Sequence, residues 1–116
     1  MAEDRTLPGA AVAHALDTLI TVPPQAITSR VIARTAAGNV TLFGMDAGEG
    51  LSEHTAPFDA LVVVLEGRLS LTIGGASVEA GPHDFVRMPA SVPHALVALT
   101  PVRLLLVMLR EAAAVK

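Results

Sequence analysis

Two stretches of the sequence decide the fold: GEGLSEHTAPFDALVVVLEG at residues 48–67 and PASVPH at residues 89–94. In the first stretch a polar segment leads into the apolar run Ala60–Leu65, whose composition predicts a strand buried on both faces. A Glu-Gly pair then closes the stretch and predicts a tight turn, because glycine adopts backbone conformations that such turns require. Each stretch also carries one histidine, His54 or His94, next to a predicted β-strand.

The residues outside these stretches repeat with the period of β-strands. Between Arg68 and Ile73, leucine and isoleucine alternate with serine and threonine, which predicts a strand with one buried face. The glycine pair at residues 74–75 predicts a hairpin after it. Further strands are predicted at residues 27–34, 40–45, 77–80, 85–88, 94–99 and 102–109. Glycine and proline separate these segments roughly every 8 to 12 residues, which is typical of an all-β sandwich or barrel.

The chain is short enough to form one domain, because 116 residues fall within the usual size of a single domain. We predict a lead-in at residues 1–24, a β-barrel at residues 25–110 and a tail at residues 111–116. Apolar residues between Ala10 and Ile20 recur at nearly helical spacing and predict a short helix. Two prolines at positions 23 and 24 end this segment, because proline lacks the amide hydrogen that a helix needs.

The composition excludes several classes of function. The formal charge is −3, and the eight basic residues are scattered, so we expect no nucleic-acid partner. The chain has no cysteine, which excludes disulfides, thiolate metal sites and thiol catalysis. It also has no tryptophan or tyrosine, so only three phenylalanines could stack against a ligand.

The apolar residues predict a dimer rather than a membrane protein. The longest apolar runs, Ala60–Leu65 and Leu104–Leu109, have six residues each, whereas a membrane-spanning helix needs about 20. Residues 1–5 lack the basic and apolar layout of a signal peptide, so we expect a cytoplasmic protein without a membrane partner. Hydrophobic residues make up 52% of the chain, and we expect Leu104–Leu109 to pack against a second subunit of a homodimer.

The spacing of residues in the two stretches resembles the paired motifs of the cupin family. The first cupin motif, G-x5-H-x-H-x3-E-x6-G, aligns with Gly48, His54, Ala56, Ala60 and Gly67. The second, G-x5-P-x-G-x2-H-x3-N, keeps its proline and histidine at residues 89 and 94 and lacks both glycines and the asparagine. The resemblance covers about residues 40–109 and is closest to small RmlC-like proteins of the cupin 2 type. It implies a double-stranded β-helix, also called a jelly-roll barrel.

The resemblance also implies a metal site, but this chain retains only half of the usual ligands. Cupins hold a metal with three histidines and one glutamate, and here only His54 and His94 remain. Because a catalytic metal site normally takes three protein ligands, a divalent transition metal would need a further donor. Three carboxylates close in sequence are candidates for this role: Glu49, Glu53 and Asp59.

The alternation of a strand predicts which residues line the interior of the barrel. Side chains two residues apart point to the same side, so His54, Ala56, Phe58 and Ala60 share one face. We predict that these four residues and His94 form a ligand pocket, with Asp59 pointing outward. His14 and His83 fall in the lead-in and in a turn, and we assign them no function.

Three functions remain compatible with the sequence, and whether the chain is an enzyme stays open. The first is a binding protein that holds a small molecule in the barrel and has a reduced or absent metal site. The second is a metal-dependent dioxygenase or isomerase that uses His54, His94 and an unrecognised ligand. The third is a structural dimer whose interior is closed by Phe58 and Leu71. Within any of these, the two histidines could also be core residues that bond to each other or to water.

Overall fold

The computed structural model describes residues 6–110, and these residues form nine β-strands and one short helix. The elements are α1 Leu16–Leu19, β1 Ile27–Thr35, β2 Gly38–Met45, β3 Gly50–His54, β4 Asp59–Glu66, β5 Leu69–Ile73, β6 Ala76–Ala80, β7 Phe85–Met88, β8 His94–Ala98 and β9 Val102–Leu109. The predicted tail at residues 111–116 lies outside the described residues.

The strands form two sheets in which all neighbours run antiparallel. The five-stranded sheet has the order β1-β2-β9-β4-β7, and the four-stranded sheet has the order β3-β8-β5-β6. Antiparallel sheets of this kind bury one face and expose the other, which explains the alternation in the sequence. The all-β architecture predicted from that alternation is therefore confirmed.

The core lies between the two sheets and consists almost entirely of aliphatic side chains. Leu69 and Leu71 of the four-stranded sheet are fully buried, as are Val62 and Val102 of the five-stranded sheet. Burial of each such side chain contributes about 1.5–3 kcal/mol relative to leaving it exposed. These side chains fill one part of the space between the two sheets, and the remaining part is available for a functional site.

The turn between β4 and β5 depends on glycine. Gly67 has φ 82°, a left-handed conformation that side chains with a Cβ atom rarely adopt. A Cβ atom at this position would also collide with the backbone oxygen of Pro101. The predicted Glu-Gly turn is thus formed, and it connects β4 of one sheet to β5 of the other.

The lead-in contains one short helix, as the sequence predicts. It lies between Ala10 and Ile20 and is limited to one turn, Leu16–Leu19. Ala11 has φ 59°, and the helix has no side-chain cap at its start, so nothing extends it beyond one turn. The helical element is four residues long, and no helix within residues 6–110 is long and apolar enough to cross a membrane.

The chain after this helix crosses the outer face of the five-stranded sheet. The Arg103 Nε–H donates a hydrogen bond of 3.0 Å to the backbone oxygen of Ile20, which is itself 5% exposed. A Cβ atom at Gly44 would collide with the backbone oxygen of Thr21, so the segment lies directly on β2. Leu42, which points to the same outer face, is fully buried for this reason. The lead-in covers the outer face at β2.

Candidate functional site

A cavity of about 40 Å³ lies between the two sheets, at the end where β3, β4 and β8 come close together. The structure brings all five residues of the predicted pocket to its wall: His54, Ala56, Phe58, Ala60 and His94. The side chains on residues 56, 58 and 60 share one face, as their alternation predicts.

The remaining wall of the cavity is apolar. Most of it comes from four different strands, through the side chains of Leu51, Met88, Leu96, Leu106 and Met108. Methionine and leucine supply no strong hydrogen-bonding group, so the two imidazoles are the main polar feature of the cavity wall. Any polar part of an occupant must therefore interact with His54 or His94.

A β-bulge in β3 directs His54 into this cavity. Leu51 pairs with Leu96, and His54 pairs with His94. Between these two pairs β3 has two residues, whereas β8 has only one. In a regular strand Leu51 and His54 would lie on opposite faces, because they are three positions apart. The bulge changes this relation, and both side chains line the cavity.

The imidazoles of His54 and His94 contact each other directly. Their Nε2 atoms are 3.1 Å apart, and their ring planes meet at 70° with centroids separated by 4.3 Å. His94 is only 5% exposed, whereas His54 is exposed to solvent. The pair therefore connects the interior of the cavity to its opening.

Backbone carbonyl oxygens also contact the Nδ1 atoms of both rings. The Nδ1 atom of His54 is 2.8 Å from the oxygen of Ser52, and that of His94 is 3.2 Å from the oxygen of Val92. In each case the carbonyl belongs to the residue two positions earlier. These contacts orient both rings so that Nε2, rather than Nδ1, faces the partner ring.

The opening of the cavity is bounded by two loops that are tied together. The Ser91 N–H donates a hydrogen bond of 2.7 Å to the backbone oxygen of Ala56, and the Ala90 N–H donates one of 2.8 Å to Oδ1 of Asp59. Asp59 also accepts a bond of 3.2 Å from Arg87. The Ala90 amide lowers the pKa of Asp59 below its ordinary value, and the Arg87 guanidinium acts in the same direction.

Phe58 lies at the same opening and is half-buried. The guanidinium carbon of Arg110 is 5.6 Å from the centroid of its ring, within the range of a cation–π interaction. A positive charge is therefore present near the opening, outside the apolar wall.

The described residues do not fit the metal that the cupin resemblance implies. Asp59 is engaged by the loop across the opening, and neither Glu49 nor Glu53 lines the cavity. Within residues 6–110 no group of three histidine or carboxylate side chains is close enough together to hold a metal. His54 and His94 therefore lack a third protein ligand, and the two remaining family positions, Ala56 and Ala60, end in methyl groups.

Some cavity residues were not identified from the sequence. Leu96 follows His94 by two positions, so alternation along β8 could have placed it on the inner face. The structure also places Met88 and Met108 at the cavity wall. Leu51 carries no comparable signal, because the bulge in β3 interrupts the alternation that would relate it to His54.

Comparison with known proteins gives a consistent family and fold. A family model described as a cupin domain matches residues 41–108. A solved structure of a conserved protein of unknown function from Streptococcus pyogenes is 27% identical, with a TM-score of 0.87 over 97% of this chain and 98% of that one. The comparison with curated proteins finds no match.

Two further solved structures share the fold alone. A cupin superfamily protein from Desulfitobacterium hafniense is 24% identical, with a TM-score of 0.83 over 95% of this chain and 100% of that one. Salicylate 1,2-dioxygenase from Pseudoaminobacter salicylatoxidans is 18% identical, with a TM-score of 0.67 over 76% of this chain and 26% of that one. Similarity at these identities carries no information about activity.

Proposed function

The chain belongs to the cupin domain family, and we propose that it binds a small molecule in the cavity between its two sheets without a bound metal. The observation that carries this proposal is the convergence of His54 and His94 on a cavity whose wall is otherwise apolar. Binding sites of small molecules have this composition: an apolar wall with a few polar groups that orient the ligand.

The size of the cavity restricts the part of the ligand that enters it. A buried water needs roughly 10–15 Å³, so a cavity of about 40 Å³ accepts a group of about three non-hydrogen atoms. The rest of a larger ligand would lie at the opening, against Phe58. We therefore propose a small ligand, or a small terminal group of a larger one.

The proposal is tested by titrating isotope-labelled protein with acids, amides and alcohols of two to four carbons and recording amide NMR spectra. We expect the signals of Leu51, His94 and Leu106 to shift with at least one compound. The variant His54→Ala should weaken that binding about ten-fold or more, because it removes a polar contact. Failure of every compound to shift these signals, or unchanged binding by His54→Ala, contradicts the proposal.

A matched control is available at another exposed histidine. His83 lies in a turn with φ 74°, a conformation that asparagine tolerates better than most residues do. His83→Asn should therefore retain both the fold and the binding. Equal losses of binding in His83→Asn and His54→Ala would show that the loss is unspecific.

The alternative, a metal-dependent dioxygenase or isomerase, requires a ligand beyond His54 and His94. Elemental analysis of untagged protein distinguishes the two proposals directly. A near-equimolar transition metal that disappears in His94→Ala would replace our proposal with the metal-dependent one. Protein that contains no stoichiometric metal and still binds a compound in the cavity supports our proposal.

We also propose that the chain forms a homodimer through the outer face of β4 and β9. Register pairs Leu61 with Val107 and Val63 with Leu105 on this face, and all four side chains are only half-buried in the single chain. Leu109 continues the same face and is 48% exposed. An apolar sheet face of this kind is typical of a subunit interface.

The charges at the edge of this face favour a second copy as the partner. Asp59 and Arg87 lie side by side next to Leu61, with Arg87 exposed and Asp59 half-buried. In an interface with two-fold symmetry, the aspartate of one copy can approach the arginine of the other. Native mass spectrometry should give a dimer for the wild type and a monomer for Leu105→Glu. A monomeric wild type would refute the dimer.

A further inference from the structure

Phe85 is an exposed aromatic residue on the same outer face as the proposed dimer surface. Register pairs it with Val63 of β4, and Val63 pairs with Leu105 of β9, so the three side chains form one row across the sheet. Phe85 is 66% exposed, more than any other large apolar side chain within residues 6–110. Leaving so large an apolar side chain in water is unfavourable, and aromatic residues are enriched at protein interfaces.

An apolar groove of about 220 Å³ opens toward the other edge of this sheet, over β1, β2 and β9. Two rows of the register supply the side chains that face outward there: Ala33, Val40 and Val107 in one row, and Thr35, Gly38 and Leu109 in the next. Three of these residues are small, which leaves the groove open. At roughly 10–15 Å³ for each buried water, the groove has room for a whole phenylalanine side chain.

Phe85 cannot fill the groove of its own chain. The strand order β1-β2-β9-β4-β7 places β4 between the strand of Phe85 and β9, the nearest strand of the groove. Neighbouring strands are about 4.8 Å apart, so Phe85 lies at least about 9 Å from the groove along the sheet. Both features face the same side of the sheet, so a second copy packed face to face can bring them together.

A two-fold axis along the line through Leu105 and Leu61 produces this contact. The line crosses β9 and β4 diagonally, with Phe85 on one side of it and the groove on the other. Rotation about an axis in the plane of the interface exchanges the two sides. Each Phe85 then meets the groove of the other copy, and both contacts form at once.

The same axis also brings opposite charges together. Arg87 pairs with Leu61 and lies on the Phe85 side of the line, whereas Asp59, two residues before Leu61 on β4, lies on the groove side. The rotation therefore places Asp59 of each copy next to Arg87 of the other. The apolar contact and the charges are separate observations, and they favour the same orientation of a second copy.

We propose that Phe85 of one copy fills the groove formed by Ala33, Val40 and Leu109 of the other, and that this reciprocal contact anchors the dimer. The inference rests on the proposed homodimer and names the residues that hold it together. A few aromatic side chains that fill pockets of the partner supply most of the binding free energy in many interfaces.

The experiment measures the Kd of the dimer by analytical ultracentrifugation for variants of the full chain. Phe85→Ser removes the ring, and Ala33→Trp fills the groove. We expect each to raise the Kd about ten-fold or more, because each abolishes both copies of the contact. Both positions are exposed in the single chain, so circular dichroism should show unchanged strand content. The control Val97→Ser changes an exposed apolar residue of the other sheet and should keep the wild-type Kd.

Mixing the two variants tests the contact itself. In a mixed dimer, the intact Phe85 of the Ala33→Trp copy meets the open groove of the Phe85→Ser copy. The filled groove faces a copy that has lost the ring, so nothing collides with it. One contact is thus restored, whereas each homodimer has none. Native mass spectrometry, which separates the species by mass, should find mixed dimers in excess of the random proportion.

These results separate the inference from the proposed dimer. A monomeric wild type refutes both. A dimeric wild type that Leu105→Glu dissociates, and that Phe85→Ser or Ala33→Trp leaves unchanged, keeps the dimer and overturns the inference. The groove then has a different occupant, such as another protein or residues 111–116 of the same chain. Mixed dimers at or below the random proportion also overturn the inference.

Discussion

Restoring the two missing family ligands should convert the cavity into a metal site. Ala56 and Ala60 occupy the positions at which the cupin motif has its second histidine and its glutamate, and both line the cavity with His54 and His94. The double variant Ala56→His/Ala60→Glu would thus present three imidazoles and one carboxylate to the same space. Four such ligands are the usual complement of a divalent metal in this family.

Without metal, this variant should be less stable than the wild type. Ala60 is 4% exposed, so the new carboxylate is buried, at a cost of about 1–3 kcal/mol. The larger side chains also overfill a cavity of about 40 Å³, which costs about 1–3 kcal/mol more. We expect a total loss of about 4 kcal/mol, which lowers the melting temperature by about 16 °C at about 4 °C for each kcal/mol.

Metal binding should restore much of the stability that the double variant loses. A metal at 100 times its Kd stabilises the folded state by about 2.7 kcal/mol, or about 11 °C in the same conversion. Thermal unfolding with and without Mn²⁺, Ni²⁺ or Zn²⁺, after treatment with EDTA, measures the effect. The wild type and the variant Ala33→His, whose added imidazole lies on an exposed part of β1, should show no comparable shift.

Two outcomes would refute this reasoning. A wild type that gains as much stability from metal as the double variant would mean that His54 and His94 already suffice for binding. A folded double variant that responds to none of the three metals would mean that positions 56 and 60 do not converge on the two imidazoles. Elemental analysis of the same samples gives the metal content independently of stability.

The remaining predictions concern stability. Asp59→Asn removes a carboxylate whose pKa is lowered in the folded state, so its stabilising effect exists above about pH 4 and is lost as the pH falls further. The wild type and the variant should therefore differ less in their free energy of urea unfolding in acid than at neutral pH. A difference that stays constant with pH would contradict this. Gly67→Ala should lower the free energy of unfolding by at least about 2 kcal/mol, and Gly75→Ala should lower it by about 1 kcal/mol. Both glycines have a left-handed backbone, but only at Gly67 would a Cβ atom collide with another part of the backbone. Equal losses in the two variants would be evidence against the collision. Leu71→Ala should cost about 2.7–5 kcal/mol, since Leu71 is fully buried, and a cost below 1 kcal/mol would show that the core collapses around it.

Much of the fold could be predicted because most strands carry their own signal. Ala60–Leu65 and Val102–Leu109 are apolar enough to be recognised alone, and the cupin resemblance is confirmed by a family model that matches residues 41–108. β3 gives no such signal, because Ser52 and Glu53 are polar and the bulge interrupts the alternation. The short helix of the lead-in was predictable from its spacing, and it is limited to one turn because it has no side-chain cap and no buried residue.

The candidate site could be predicted only in part. Motif spacing was enough to place His54 and His94 near each other and to identify the two alanines at ligand positions. The contact between the two Nε2 atoms was not predictable, because it depends on the bulge and on two backbone carbonyls. The volume of the cavity was not predictable either, since it results from the packing of side chains from several strands.

The additional residue in β3 allows the sequence spacing of the histidine to change without changing its position in space. Deleting Ser52 or Glu53 would leave one residue between Leu51 and His54, just as Ala95 alone separates His94 from Leu96, so pairing would become regular and the imidazole would still face the cavity. We therefore expect a one-residue deletion in the bulge to keep the histidine pair, whereas a substitution of either histidine removes it. Alignments of related barrels should allow a one-residue gap at this point.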